Sequence, residues 1–362
     1  MTIPKEQARR IFTEGFLGVY REQTPSSNFM KSFFRNHTTP DKMLSIEVER
    51  NTERIAVDVI RGTNANRNTF SRFSEKKYQP PFYNEGFDAT SLDRYDIAIG
   101  QAGAPTQETI NTVARNITGK LEELRKKIER AKEKQASQVL ETGVVELENN
   151  DSVDYKRKAD SMVDLSGNPW SATGAPVEQQ LIDGGDWIRK NGKNAAKTLN
   201  LIMSSDAWVD LKKTTYIDKK AAYQQVSLID VNMPQVDIGG SVFHGRIVAG
   251  GYTFNVWTYD ETYEDKSGNT QYYWPRDYAV MVPERGTDFV MAHAGVPAII
   301  ADQGNAEFSQ YIASMEAMYW VNNFIDMNRK AHIFELYSAP LAIPVTVDMI
   351  YTMKVLSGTT EG

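Results

Sequence analysis

The stretch from Thr106 to Glu141, TQETINTVARNITGKLEELRKKIERAKEKQASQVLE, constrains the fold more than any other part of the chain. Ile110, Val113, Ile117, Leu121, Leu124, Ile128 and Ala131 follow one another at steps of three or four residues, the spacing of a single apolar stripe on an α-helix. Pro105 blocks backward extension, Thr106 offers an N-cap oxygen with Glu108 in the first turn, and Gly143 supplies a left-handed stop. At 1.5 Å per residue the helix runs roughly 50 Å, several times the mean helix length. So long a rod with one narrow apolar face predicts a spine along which a sheet or a partner is laid. A coiled coil is the simpler alternative, but Thr112, Asn116 and Gly119 weaken any second seam.

On either side of the spine the hydrophobic period changes. Residues 1 to 40 carry Ile11, Phe12, Phe16, Leu17 and Tyr20, break at TPSSN, and resume with Phe29, Met30, Phe33 and Phe34, the punctuation of an arm lying on its own chain or on a neighbour. From Met43 the segments MLSIEVER and RIAVDVIRG alternate as half-buried strands do, and their break near Asn51 predicts a hairpin. RNTFSRF and KKYQPPFY form a second polar pair. Between Arg50 and Lys77 the bases Arg54, Arg61, Arg67, Arg72, Lys76 and Lys77 outnumber the acids Glu53, Asp58 and Glu75. With few bulky apolar residues, this loop is expected to project and to be ordered by a partner, the alternative being a solvated basic edge. Residues 86 to 105 read as a connector, and GVVELENNDSVDYKR as two short strands. After the turn-rich DLSGNPWSATGAPV, the pattern becomes α/β: a helix from Val177 to Asn191, a strand at 199 to 203, a helix in SSDAWVDLKK, then strands near 226, 241, 252, 270 and 278. The segment from Phe308 to Ile325 carries no clear period, and HIFELYSAPLAIPVTVDMIYTMKVL reads as two strands parted by Pro340 and Pro344.

Composition narrows the chemistry. A chain of 362 residues with 41% hydrophobic and 24% charged residues can bury a large core in two or three domains, and its net charge of -6 argues against a protein devoted to gripping DNA phosphates. The absence of cysteine removes disulfides, thiolate metal sites and cysteine nucleophiles. MTIPKEQARRIF is not followed by an apolar run of signal-peptide length, and no stretch is apolar enough to span a membrane, so neither secretion by that route nor a membrane location is expected. Phosphate-binding glycine motifs and G-x-S-x-G are missing, and the pairs Gly184-Gly185, Gly239-Gly240 and Gly250-Gly251 are read as turns or bulges. His37, His244, His293 and His332 are scattered singly, without ligand spacing. No catalytic residue, cofactor site or metal site is therefore expected. Asp260, Glu261, Glu264 and Asp265 lie close in sequence to Trp257, Tyr259, Tyr263, Tyr272, Tyr273 and Trp274, the residue types of a carbohydrate-active or carbohydrate-binding protein, although pairing across one hairpin explains the same cluster.

The arm ending in Phe33-Phe34-Arg35, the projecting loop, the spine closing in QVLETG, the stretch GGYTFNVWTYDETYEDKSGNTQYYWPRDYAVMVP and the C-terminal Ser338-Ala339-Pro340-Leu341 together resemble the lambda-like major capsid proteins of tailed bacteriophages, the capsid protein E family. The resemblance spans nearly the whole chain in order; 215 to 250 and the residues before Phe29 match only loosely. It implies an α+β, Hong Kong 97-type fold: an N-terminal arm (1 to 40), an extended loop or E-loop (41 to 90), a P-domain (91 to 175) with the spine, an α/β A-domain (176 to 330) and C-terminal return strands of the P-domain (331 to 362). It also implies a non-enzymatic virion protein assembled in the host cytoplasm, self-associating as hexamers and pentamers into an icosahedral capsid. Scaffolding, portal and decoration proteins are its implied partners, with packaged double-stranded DNA touched non-specifically. Expected contacts between subunits are Phe33 and Phe34 of the arm and the loop bases Arg54, Arg61, Arg67, Arg72, Lys76 and Lys77, facing Glu122, Glu123, Glu129 and Glu133 of a neighbouring spine. A tail-tube or decoration protein is the other virion reading, and it rarely needs so long a helix.

Overall fold

The computed structural model describes residues 28–48, 74–90, 107–147, 152–217, 227–228, 239–265, 267–301, 310–326 and 331–357. The spine is a helix over Gln107–Glu141. Its end follows from local chemistry. Gly143 takes φ 74°, and the amides of Thr142 and Gly143 return to Gln138 O at 3.0 and 3.2 Å. The last carbonyls, Leu140 O and Glu141 O, accept from the Arg157 guanidinium at 3.1 and 2.9 Å, and Leu140 O also accepts from Thr352 Oγ1 at 2.9 Å. A cation is thereby placed where the helix dipole is negative.

The two halves of the spine lie on different sheets. Ile117 and Leu121, both buried, pack with half-buried Leu124 on Phe334, whose ring stacks on Phe87 at 5.2 Å. These rings belong to a three-stranded antiparallel sheet of Trp320–Asp326, Ala331–Ser338 and Tyr83–Thr90. Towards the C-terminus, Ala136, Val139 and Leu140 are fully buried against a second small sheet, in which Phe289–His293 pairs antiparallel with Pro340–Pro344 and parallel with Arg35–Thr38. Gln135 acts there as one more strand partner: its Oε1 accepts from Ala342 N at 3.1 Å, and its Nε2 donates to Pro340 O at 3.4 Å.

A seven-stranded mixed sheet forms the other body, in the order Met162–Asp164, Tyr351–Lys354, Tyr278–Pro283, Thr198–Met203, Tyr252–Tyr259, Ser241–Ala249, Ser227–Leu228. The helix Val177–Asn191 packs on it, with Val177, Leu181 and Ile188 buried. Gly184 and Gly185 sit inside this helix rather than in a turn. A Cβ would stand 2.6 Å from Met281 Sδ at Gly184 and 2.9 Å from the Tyr252 ring at Gly185, so the pair permits close contact between helix and sheet. Gly250-Gly251 is a turn as expected, both residues at positive φ between paired Ala249 and Tyr252. The short helix Ser205–Lys212 is capped by Ser204 Oγ, which accepts from Ala207 N at 3.2 Å.

Four further expectations change. The segment expected to be a connector from Gly86 begins inside the strand Tyr83–Thr90. Leu44–Val48 pairs with Ser74–Tyr78, with Val48 opposite Ser74, instead of forming a local hairpin; RIAVDVIRG lies outside the described residues. The segment without a clear period holds two strands, Gln310–Met315 and Trp320–Asp326. The C-terminal run makes three strands rather than two, because Pro340 and Pro344 bound the strand Pro340–Pro344 and do not separate longer ones.

Candidate assembly interface

The arm is described from Asn28 onward, and it is fastened at successive points. Asn28 N donates to Gly239 O at 3.2 Å, the Phe29 ring lies 5.3 Å from Trp257 and 5.6 Å from Tyr259, and Phe34 meets Phe289 at 5.4 Å. Between these rings the short helix Met30–Phe33 points its first amides at the spine: Met30 N donates to Glu133 Oε1 at 2.7 Å and Lys31 N to Glu133 Oε2 at 3.1 Å. Tyr259 Oη donates to the same Oε1 at 2.7 Å. One fully buried carboxylate thus ties together the arm, the spine and the seven-stranded sheet. Burial pushes the Glu133 pKa up, against the lowering effect of Tyr259, Met30 and Lys31.

One turn earlier, Glu129 receives the Lys31 ammonium, Lys132 at 3.2 Å and the Tyr319 hydroxyl. Burial pushes this carboxyl up, but Lys132 and Lys31 outweigh it and hold Glu129 at about 2. Burial lowers Lys132 to about 8 despite Glu129. His293, fully buried beside this group, is lowered to about 3 by burial and by Lys132; its Nε2 lies 3.4 Å from Asn36 Oδ1. Asn36 stands in the arm strand that pairs with the strand of His293, so the arm continues along a polar seam.

These contacts show where the expected interface residues lie. Phe34 is buried in its own chain and Phe33 packs at 5.4 Å on Phe29. Glu122, Glu129 and Glu133 are buried: Glu129 and Glu133 take hydrogen bonds from the arm, and Glu122 lies within 3.3 Å of Arg125. Glu123 is exposed and paired with Lys120 at 2.8 Å. Arg54, Arg61, Arg67 and Arg72 lie outside the described residues; Lys76 and Lys77 fall in the strand Ser74–Tyr78. At the foot of this two-stranded extension, Lys42, Gln79, Pro80, Phe82 and Gly295 line a cleft of about 390 Å³, and Phe82 is 48% exposed.

Most rings of the aromatic hairpin are packed inside the chain, while Tyr272 is exposed with Arg276 over its face. Trp274 is 1% exposed, with its indole N–H donated to Tyr278 O at 2.9 Å, while Tyr259 and Tyr273 are buried; Trp257 is wedged between Phe29 and Phe243. Asp265 caps its own turn, accepting from Ser267 N and Asn269 N at 2.8 and 2.9 Å. Cross-strand packing and turn chemistry account for the cluster. Among the described residues no group of three or more acids and histidines is arranged to hold a metal, and no helix is long and apolar enough to cross a membrane.

A long helix clasped by an arm, a two-stranded extension and an α/β body define a shell subunit of the Hong Kong 97 type. The crystal structure of a protein assigned as the capsid protein of a prophage of Escherichia coli CFT073 shares this fold, with a TM-score of 0.59 and 17% identity over 98% of this chain and 99% of that one. A phage-related protein from Bordetella bronchiseptica aligns at 10% identity over 97% and 98% of the two chains, with a TM-score of 0.47. No curated protein sequence matches. The model of the phage major capsid protein E family matches residues 22–355, and the chain belongs to that family. It is a bacteriophage major capsid protein, and copies of it form the icosahedral shell of the virion.

Proposed function

We propose that the subunits assemble as hexamers and pentamers around packaged double-stranded DNA, with a structural and not a catalytic role. In this reading residues 1–40 are the N-terminal arm and 41–90 the E-loop, 91–175 and 331–362 make the P-domain, and 176–330 the A-domain, whose loops meet around the axes. Assembly takes place in the host cytoplasm, with scaffolding and portal proteins as partners and a decoration protein added to the finished shell.

The observation that carries the reading is the pairing of Leu44–Val48 with Ser74–Tyr78. It leaves residues 49–73, with Arg50, Arg54, Arg61, Arg67 and Arg72 against the acids Glu49, Glu53 and Asp58, as a basic insertion between two paired strands. The basic residues of this insertion, with Lys76 and Lys77, are the proposed contacts to a neighbour. Of the four spine acids, Glu123 is the one left exposed to receive such a contact, whereas Phe33, Phe34, Glu122, Glu129 and Glu133 serve within the chain. Reversal of charge in Arg61→Glu/Arg72→Glu is expected to abolish shells in electron micrographs while the purified chain keeps its far-ultraviolet circular dichroism. Normal shells from this variant would overturn the assignment.

A further inference from the structure

The sheet of Trp320–Asp326, Ala331–Ser338 and Tyr83–Thr90 has two faces, and the spine covers one. Phe334 and Phe87, opposite each other in the ladder, face the spine. The neighbouring rows, Asn322 with Glu335 and Gly86, and Phe324 with Ile333 and Asp88, point the other way. Trp320 and Tyr337, the next row on that side, still join the central core. Beyond them the cover ends: Phe324 is 40% exposed, and with Asn84, Gly86, Asp88, Ile333 and Glu335 it lines a groove of about 450 Å³. Gly86 adds no side chain, so the groove stays open between Asn84 and Asp88. Exposed Phe82, 5.3 Å from the Tyr337 ring, continues the patch to the foot of the two-stranded extension. Glu335 accepts from the Tyr337 hydroxyl and forms no ion pair among the described residues, and this face carries no Lys or Arg among them.

We propose that this outer face receives a second copy of the chain, through the insertion of residues 49–73 of that copy. The inference rests on the capsid reading and gives its basic insertion an apolar receiving surface besides Glu123. The run RIAVDVIRG sets Ile55, Val57 and Val59 on one side of an extended segment, with Arg54 and Arg61 at its ends. Such a segment needs an apolar surface that also holds acid, and the groove supplies Phe324 and Ile333 beside Asp88 and Glu335. A guanidinium can lie flat on the Phe324 ring while it pairs with Glu335, which suits Arg better than Lys. The insertion carries five arginines against three acids, the sign opposite to that of the groove. The ladder from Leu44 to Val48 places its start about 14 Å beyond the foot of the extension, away from Phe82 of its own chain.

The chain holds no cysteine, so introduced thiols report contacts without background. Full-length chains carrying Asn84→Cys are assembled together with chains carrying Ile55→Cys, Val57→Cys or Arg61→Cys, and oxidised. Disulfide-linked pairs of the two kinds, identified by mass spectrometry, are expected from at least one of the three mixtures. None is expected when Val209→Cys, exposed on the helix Ser205–Lys212, replaces Asn84→Cys. No mixed pair from any of the three, equal pairing with Val209→Cys, or an intrachain disulfide in unassembled Arg61→Cys/Asn84→Cys would each overturn the proposal, the last because the insertion would then cover its own sheet. Phe324→Asp puts a carboxylate where the contact needs a ring, and is expected to lower the yield of shells about tenfold or more with unchanged far-ultraviolet circular dichroism. Asn84→Arg, at an exposed polar position, serves if that variant loses its circular dichroism. Electron micrographs separate the two readings: wild-type chain that forms no shells counts against the capsid reading, whereas full shell yield from these variants counts against this surface alone.

Discussion

Replacing Glu133 by alanine removes the one side chain on which arm, spine and seven-stranded sheet converge. Three donors then lose their acceptor: the amides of Met30 and Lys31, at 2.7 and 3.1 Å, and the hydroxyl of Tyr259 at 2.7 Å. A buried donor left unpaired costs about 1–3 kcal/mol, so the gross loss is several kcal/mol. Part is recovered because the carboxylate is itself expensive to bury, as its raised pKa shows. The net expectation is about 3 kcal/mol, or about a hundredfold in an opening equilibrium. The loss should be local, since the spine beyond Glu133 remains held by Ala136, Val139 and Leu140 in the core and by Arg157 at its end.

Amide hydrogen exchange followed by mass spectrometry on the unassembled chain reads this directly: protection over residues 28–39 should fall about a hundredfold, while peptides of the seven-stranded sheet stay as in the wild type. Tyr259→Phe alone removes one charge-assisted bond and should cost about 1.5 kcal/mol, but close to nothing in the Glu133→Ala background, a coupling of about 1.5 kcal/mol. Protection of the arm within threefold of wild type, or equal loss across the whole chain, would refute the view that Glu133 is a specific latch.

Gly143→Ala is expected to lower stability by about 2–4 kcal/mol in thermal melts, because φ is 74° there and an added Cβ collides with the Arg157 side chain that caps the spine. Gly119→Ala, with open space around the added carbon on the same helix, should instead stabilise by about 0.5–1 kcal/mol, and equal effects at the two sites would contradict the capping argument. Glu141 is raised from 4.5 to about 7 by burial and then by Asp277 and Glu146, against Arg157. Folding therefore takes up a proton between those values, so its contribution is full below about pH 4.5 and is lost as pH rises through about 7. Glu141→Gln should accordingly melt higher than wild type at about pH 8 and alike at about pH 4, whereas an unchanged difference between the two pH values would rule this assignment out.

Elements whose signal is local were legible in the sequence. The spine shows its apolar steps and its glycine stop, the helix Val177–Asn191 its boundaries, and Gly250-Gly251 its turn, because each depends on residues within a few positions of one another. Elements ordered from a distance were not. Leu44–Val48 finds its partner about thirty residues away, the strand Tyr83–Thr90 is defined by Ala331–Ser338, and Pro340–Pro344 is a strand because Phe289–His293 and Gln135 lie on either side of it. Loop closure over such separations leaves no trace in a window of ten residues. The glycine pair at 184 and 185 shows the same limit: its cause is the bulk of Met281 and Tyr252 in strands far along the chain.

The spine acids show most sharply why the interface was only half legible. At 100° per residue, Glu122, Glu129 and Glu133 stand about 110–150° from the centre of the stripe formed by Ile117, Leu121, Leu124 and Ile128, so periodicity places them in water. For Glu129 and Glu133 the arm reverses that placement. Met30, a hundred and three residues before Glu133, brings backbone amides that make a carboxylate the fitting residue on a buried flank. A second, polar buried face is thereby added to a helix whose sequence advertises only the apolar one, while Arg115, Lys120, Lys127 and Arg130 on the adjoining flank stay exposed. Charge along a long helix cannot be assigned to inside or outside from spacing alone when another segment of the chain supplies hydrogen-bond donors, because a satisfied carboxylate can be buried where an unsatisfied one cannot. For this subunit the consequence is physical: the charge that holds the arm and the charge exposed to solvent sit on one helix, their centres about 90° apart around its axis.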